Sequence, residues 1–498
     1  MQYLSSRGKS SVNAAQAITT GISPDGGLFV PELIPHINID IIKSMQLLTY
    51  QERANYIIHQ YLENFTIDEI KCCVYEAYNQ QKFDHKDIAP LVKLNHGLYI
   101  QELWHGPTCA FKDMALQILP RLLTTSARKL DDSNEFIILV ATSGDTGKAA
   151  LEGFKDVSGT RIIVFYPHNG VSEIQELQMV TQEGENVYVA GVTGNFDDAQ
   201  SGVKSIFSSQ KVINQLAQNS MRMTSANSIN WGRLLPQIVY YISAYVDLLS
   251  RGAIKAGEAI NIVVPTGNFG NILAAYYASR MGLPIKRLIC AANSNNVLTD
   301  FIRTGIYDRN RSFEKTISPS MDILISSNLE RLLYELTDHN NVKVSEWMEQ
   351  LQNTGVYKVD DITCQQVQDM FWSDYCSDEQ TLVTIASIWK GYNYLLDPHT
   401  AVAVNVYEKY LMQTGDSNCT VIASTASPFK FGSSVAQALL NPELISGKDE
   451  FSILEILSVE TGVSIPKSIK NLNQLPIKHK TVTTIKDMDK TLLSFLNI

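Results

Sequence analysis

The chain has 498 residues, 45% of them apolar and 18% charged, so it is long enough to bury more than one core and should divide into roughly two to four domains. Its 41 Lys and Arg against 51 Asp and Glu leave a formal charge of −10, which excludes a nucleic-acid or anionic-membrane surface as its main business; an anionic substrate must find a local positive pocket. Seven cysteines, odd in number and without CxxC or Cys/His ligand spacing, exclude a secreted disulfide framework, offer no metal site and point to a reducing, cytoplasmic compartment.

The N-terminus, MQYLSSRGKSS, lacks the apolar run of a secretory signal. The Gly/Pro-rich GISPDGGLFVP (21–31) predicts neither helix nor strand, and the spacing of apolar residues predicts a helix over 67–78. Residues 1–95 therefore read as an N-terminal domain. Over 96–300, short β-branched runs alternate with helix-length amphipathic stretches: FIILVA (136–141), RIIVFY (161–166), NVYVA (186–190), INIVV (260–264) and RLICAA (287–292). That rhythm predicts crossover units and parallel sheets covered by helices on both faces. The most apolar long stretch, 234–249, is interrupted by Pro236, Gln237 and Asp247 and spans no membrane. Residues 301–385 turn polar and read as a helical insertion; the strand pattern returns at TVIAST (420–425), so 386–460 rejoins the core, and 461–498 forms a Lys-rich C-terminal segment.

Five segments carry chemistry. In HGPTCAFKD (105–113), Lys112 precedes a predicted helix over 114–123 and sits among apolar neighbours; desolvation and the helix dipole both lower an ammonium pKa, as a Schiff-base lysine requires. ATSGDTGK (141–148), after the strand FIILVA, exposes backbone N–H groups as an anion nest, while its spacing and Ala149 exclude a Walker A loop. NSINWGR (227–233) offers Arg233 as a bidentate phosphate partner beside the amides of Asn227 and Ser228. PTGNFGN (265–271) is a second strand-to-helix turn able to hold a phosphate through amides alone, and it is not GxGxxG. STASPFKFG (424–432) places Thr425 at the carboxyl end of a strand, where open α/β sheets bind ligands. Alone, ATSGDTGK reads equally well as a tight turn with a capped helix, while Lys112 reads better as a lysine snorkelling off a first helical turn and NSINWGR as an N-cap with a surface arginine.

Taken in order, together with YLSSRG (3–8), GISPDGGLFVP and GVTGNFDDAQ (191–200), these blocks resemble the longer bacterial and fungal branch of the threonine synthase family. The resemblance implies a fold-type II pyridoxal 5'-phosphate (PLP) enzyme, tryptophan synthase β-like, whose family blocks begin within the first ten residues with no transit peptide expected. It implies that Lys112 carries the cofactor, that Gly267, Asn268, Phe269, Gly270 and Asn271 cradle its phosphate, and that Thr425 faces the pyridine nitrogen. Thr142, Ser143, Asp145 and Thr146 would hold the substrate carboxylate; Asn227, Ser228 and Arg233 would hold the phosphate of O-phospho-L-homoserine. Lys112 would act as general base while threonine and phosphate are formed. One departure is Ser427-Pro428, where several members of the family carry His-Pro. The alternatives are another fold-type II activity, such as a threonine or serine dehydratase, and a non-catalytic PLP-binding paralogue. The expected partner is a small molecule, with no nucleic acid, membrane or metal, in a monomer or homodimer.

Overall fold

Apolar runs long enough to be strands, with Val and Ile at successive positions, form sheets buried on both faces rather than one. A computed structural model describes residues 1–142 and 144–498, with Asp197 described by its backbone alone. Near the N-terminus β1 (Gln2–Ser5), β2 (Ser11–Asn13) and β3 (Phe29–Pro31) form a small antiparallel sheet in the order β2-β1-β3. The Gly/Pro-rich segment therefore ends in a strand, which tolerates Pro31 because β3 is an edge strand and needs no further donor there.

The chain then lays down β4 (Leu91–Asn95), β5 (Leu98–Glu102), β6 (Glu135–Ala141), β7 (Thr160–Pro167), β8 (Val187–Thr193) and β9 (Met221–Thr224). There follow β10 (Ile260–Pro265), β11 (Ile285–Ala292), β12 (Ile306–Asp308), β13 (Val356–Lys358), β14 (Phe371–Tyr375), β15 (Thr420–Ser424) and β16 (Thr481–Thr484). Two large sheets result, β14-β11-β10-β15-β5-β4 and β16-β8-β7-β6-β9. All their pairings are parallel except β4 with β5. The polar stretch 301–385 is more than helices, since β14 extends the first sheet beside β11. The C-terminal segment likewise adds β16 beside β8.

Strand periodicity divides the core. In β6, Ile138 and Val140 join the central cluster with the helix Trp231–Ser250, whereas Ile137 and Leu139 face Val203, Leu492 and Leu496 on the other side. In β10 the same alternation sends Ile262 and Val264 to the central cluster and Val263 to a third one with Val402 and Leu454. All five chemistry-bearing segments follow the carboxyl ends of parallel strands, namely β5, β6, β9, β10 and β15, where α/β sheets place their ligands.

The helix expected over 114–123 is broken into Asp113–Leu116 and Leu119–Lys129, the second starting with Pro120 in its first turn. The break lets the first piece pack against the helix Asp145–Phe154, and the contact is backbone-close: a Cβ on Gly153 would lie 2.0 Å from the Leu116 carbonyl oxygen. Lys112 and Asp145 begin these two helices, so Gly153 sets their separation. Gly153→Ala should therefore cost roughly 1–3 kcal/mol in chemical denaturation, as overpacking does elsewhere, and should also weaken ligand binding at Lys112.

Candidate active site

Lys112 is placed by its own segment. A Cβ on Gly106 would lie 2.5 Å from the Asp113 Cβ, so only glycine lets Asp113 fold back, and there its carboxylate accepts from the Thr108 N–H at 2.8 Å and the Thr108 hydroxyl at 2.9 Å. Burial pushes the Asp113 carboxyl up to about 6 against those two bonds. Cys109 takes a left-handed φ of 58°, and Phe111 donates its N–H to the Thr425 carbonyl at 2.8 Å, stitching the segment to the end of β15. Lys112 Nζ then lies 3.4 Å from Asp145 Oδ2 and 3.3 Å from Ser320 Oγ. Burial lowers the Lys112 pKa; Asp145 opposes this, while Lys430 and Arg233 add to it. The helix dipole contributes little, because Asp113–Leu116 is a single turn.

Asp145 faces cations rather than an open anion site. Lys430, fully buried, reaches Asp145 Oδ1 at 2.9 Å and also donates to the Thr108 carbonyl at 2.9 Å. Gln175 donates to the same carboxylate at 2.9 Å and Ser320 at 3.1 Å. Burial pushes the Asp145 carboxyl up, but Lys430 and Lys112 outweigh it and hold it well below the usual range. A carboxylate so placed repels a substrate carboxylate, so only its backbone N–H could serve that role. Thr142 is similarly committed, since its Oγ1 accepts the Gly144 and Gly147 N–H groups at 3.0 and 2.9 Å, removing both from the expected nest. Thr146 is partly exposed in the same loop, and Ser143 lies outside the described residues.

In the turn 267–271, Gly267 abuts the Ser320 backbone, where an added Cβ would meet its carbonyl oxygen at 2.7 Å. Gly270 is looser, its nearest neighbour being 3.4 Å from such a Cβ. Phe269 is left-handed at φ 64°, and the Asn268 carbonyl accepts from the Asn328 N–H at 3.2 Å. Tyr240 and Tyr241 both donate to Asn271 Oδ1, which turns its Nδ2 away, buried and with no partner among the described residues.

Asn227 and Ser228 are half-buried, whereas Arg233 is buried at 5% exposure and its side chain makes a single hydrogen bond among the described residues, Nη1 to the Ala226 carbonyl at 2.8 Å. Burial lowers its pKa to about 10. Sequence reasoning missed Ser320, Gln175, Lys430 and His399; His399 Nε2 accepts the Ser320 N–H at 3.1 Å and its Nδ1 meets Asp397 at 2.9 Å. Only Lys430 carried a signal, a lysine between Phe429 and Phe431 in a segment already singled out.

Three family models match the chain: threonine synthase N terminus at residues 2–78, pyridoxal-phosphate dependent enzyme at 83–424, and threonine synthase, C-terminal, at 400–490. The chain is 41% identical to threonine synthase-like 1 of Macaca fascicularis over 86% of its own length; it spans 58% of the length of that relative. It is 39% identical to threonine synthase of Pseudomonas aeruginosa, over 88% of this chain and 90% of that one. Its fold is similar to the PLP-bound threonine synthase structure from Brucella melitensis, with a TM-score of 0.87 and 32% identity over 99% of both chains.

A second network braces the segment that carries Lys112. His105 stacks on Trp104 and bonds Asp84 at 2.6 Å and Glu102 at 2.9 Å, while Trp104 Nε1 donates to Ser424 Oγ at 3.1 Å beside Thr425. Burial disfavours the imidazolium, but the two carboxylates more than offset it and push His105 from 6.5 up to about 9. A raised folded pKa gives stability that is fully present below pH 6.5 and is lost as pH rises through about 9. His105→Asn should lower the unfolding midpoint at pH 6, with the difference from the parent shrinking towards pH 10; an equal difference at both pH values would mean His105 acts uncharged.

Proposed function

The chain belongs to the threonine synthase family, and from that premise we propose that it converts O-phospho-L-homoserine and water to L-threonine and phosphate, with PLP carried on Lys112. The residues present fit that cofactor. Lys112 is an enclosed amine whose charged form burial disfavours, Gly267 leaves no room for a side chain beside the backbone of Ser320, and Asn271 Nδ2 is a buried donor with no partner among the described residues. Thr425 supplies a hydroxyl without charge at the end of β15. When bound, PLP would supply an electron sink for negative charge developing on the substrate carbons.

The chain's own residues do the rest. Lys112, as a free amine, takes the proton from Cα and then one from Cβ; a proton goes to Cγ once phosphate has left, water adds its hydroxyl at Cβ and releases its other proton, and Lys112 returns a proton to Cα. Asp145 and Ser320, the two hydrogen-bonding groups within reach of its Nζ among the described residues, hold that amine in line. Arg233, with Asn227 and Ser228, grips the phosphate that departs from Cγ. The observation that carries the reading is Arg233 itself, a buried guanidinium that commits one of its five N–H donors and has no carboxylate partner among the described residues. A buried cation of that kind is costly unless an anion arrives. The seven cysteines, all free, support a reducing compartment such as the cytoplasm.

The direct test is to incubate the purified protein with O-phospho-L-homoserine and follow phosphate and threonine together; phosphate without threonine would indicate hydrolysis or elimination instead. Lys112→Ala should abolish the visible cofactor band while leaving the fold intact. Arg233→Ala should cut kcat/KM for the phosphorylated substrate at least about tenfold, the loss expected when a charged hydrogen bond worth about 1.5–3 kcal/mol goes. Arg233→Lys should restore only part of it, since the planar fork is gone. Turnover of unphosphorylated analogues should scarcely change; an equal loss on both substrates would make Arg233 structural.

A further inference from the structure

The turns proposed to hold the two phosphates touch one another. A Cβ on Gly270 would lie 3.4 Å from Asn328 Nδ2 and 3.5 Å from Ser228 Cβ. Asn328, fully buried just before the helix Leu329–Leu336, lies between them: its Nδ2 donates to Ser228 Oγ at 2.9 Å and to the Asn268 carbonyl at 3.0 Å. Its Oδ1 accepts from Arg331 Nη1 at 2.5 Å, which fixes the orientation of the amide. Arg331 is fully buried too and donates to the carbonyls of Phe29, Ser228 and Ile229. Among the described residues it has no carboxylate within ion-pair distance, the neighbouring Glu330 being engaged by Ser6 and Arg7.

These bonds run one way. A cation donates to an amide oxygen, the amide donates to a hydroxyl oxygen, and the Ser228 proton is left to donate in turn, with no acceptor for it among the described residues. Each link polarises the next in a low-dielectric interior. We propose that Asn328, polarised by Arg331, is the positioning residue that makes Ser228 a donor and so sets the preference for a phosphorylated substrate. The proposal rests on the reading of Ser228 as a phosphate ligand.

Asn328→Asp is the informative change. It replaces the donor facing Ser228 with an acceptor that captures the Ser228 proton, and it gives Arg331 a counter-ion; the Asn268 carbonyl loses its bond from Nδ2 but keeps the one from the Asn328 backbone N–H at 3.2 Å. Asn328→Ala, which removes the donor without adding charge, serves as the second variant. Holoenzymes are titrated with inorganic phosphate, reading the cofactor absorbance, and PLP affinity is measured separately on each variant. Asn328→Asp should weaken phosphate binding at least about tenfold and raise KM for O-phospho-L-homoserine similarly, with kcat and PLP affinity changed far less; Asn328→Ala should give a smaller shift in the same direction. Unchanged phosphate binding in both variants, or equal losses of phosphate and PLP affinity, would overturn the proposal. If the parent binds phosphate in an Asn328-dependent way yet makes no threonine, the proposed reaction fails while this assignment stands.

Discussion

Asp145 is enclosed and yet ionised because Lys430 and Lys112 stand against its two oxygens. The three groups come from different places: Asp145 follows β6 of the five-stranded sheet, whereas Lys112 and Lys430 follow β5 and β15 of the six-stranded one. Their contact fixes the carboxyl ends of the two sheets against each other, and the other proposed site segments follow strand ends of the same two sheets. Taking one member from a buried pair leaves an uncompensated charge, which typically costs about 3–5 kcal/mol. The cluster thus constrains the architecture as much as the chemistry, and the glycine contact between the helices Asp113–Leu116 and Asp145–Phe154 is its mechanical counterpart.

Around that cluster the interior gathers cations against the sign of the whole chain. A protein of net charge −10 buries Arg233 and Arg331 with no carboxylate in ion-pair distance among the described residues. Burial lowers both to about 10, and for Arg331 it outweighs the opposing influence of Tyr277 and Glu330. An anionic ligand bound only by the folded state would add stability through mass action.

Much of this was legible because it is local. Short β-branched and aliphatic runs marked the core strands β6, β7, β8, β10, β11 and β15, and glycine-containing segments marked Lys112, the turn 267–271 and the stretch ending at Arg233. What was not legible is long-range. Ser320 meets Lys112 across 208 residues, and Asn328 meets Ser228 across 100, in a stretch whose composition suggested only a polar insertion. No periodicity marks a residue whose importance comes from what folds against it. Asp145 is engaged by Lys430 from 285 residues away, again long-range, whereas Thr142 capping the Gly144 and Gly147 N–H groups is local.

The same long-range logic explains why the first thirty residues carry recognisable blocks although none of the five chemical segments lies there. Glu330 accepts from Ser6 Oγ at 2.5 Å and from Arg7 Nε and Nη2 at 2.8 and 2.6 Å, and the next residue, Arg331, donates to the Phe29 carbonyl at 3.0 Å. Asn230, within the segment that carries Arg233, donates to the Ile18 carbonyl at 2.9 Å. The N-terminal unit is thereby bonded to both sides of the proposed phosphate subsite, through Arg331 on one side and Asn230 on the other. Its glycines follow from that packing: a Cβ on Gly27 would meet Ser5 Oγ at 2.3 Å, and one on Gly8 would meet Asp25 at 2.0 Å. Those tight turns hold Ser6, Arg7 and Phe29 at the spacing that the Glu330–Arg331 pair requires, so the N-terminal sequence is constrained by a site it does not itself line.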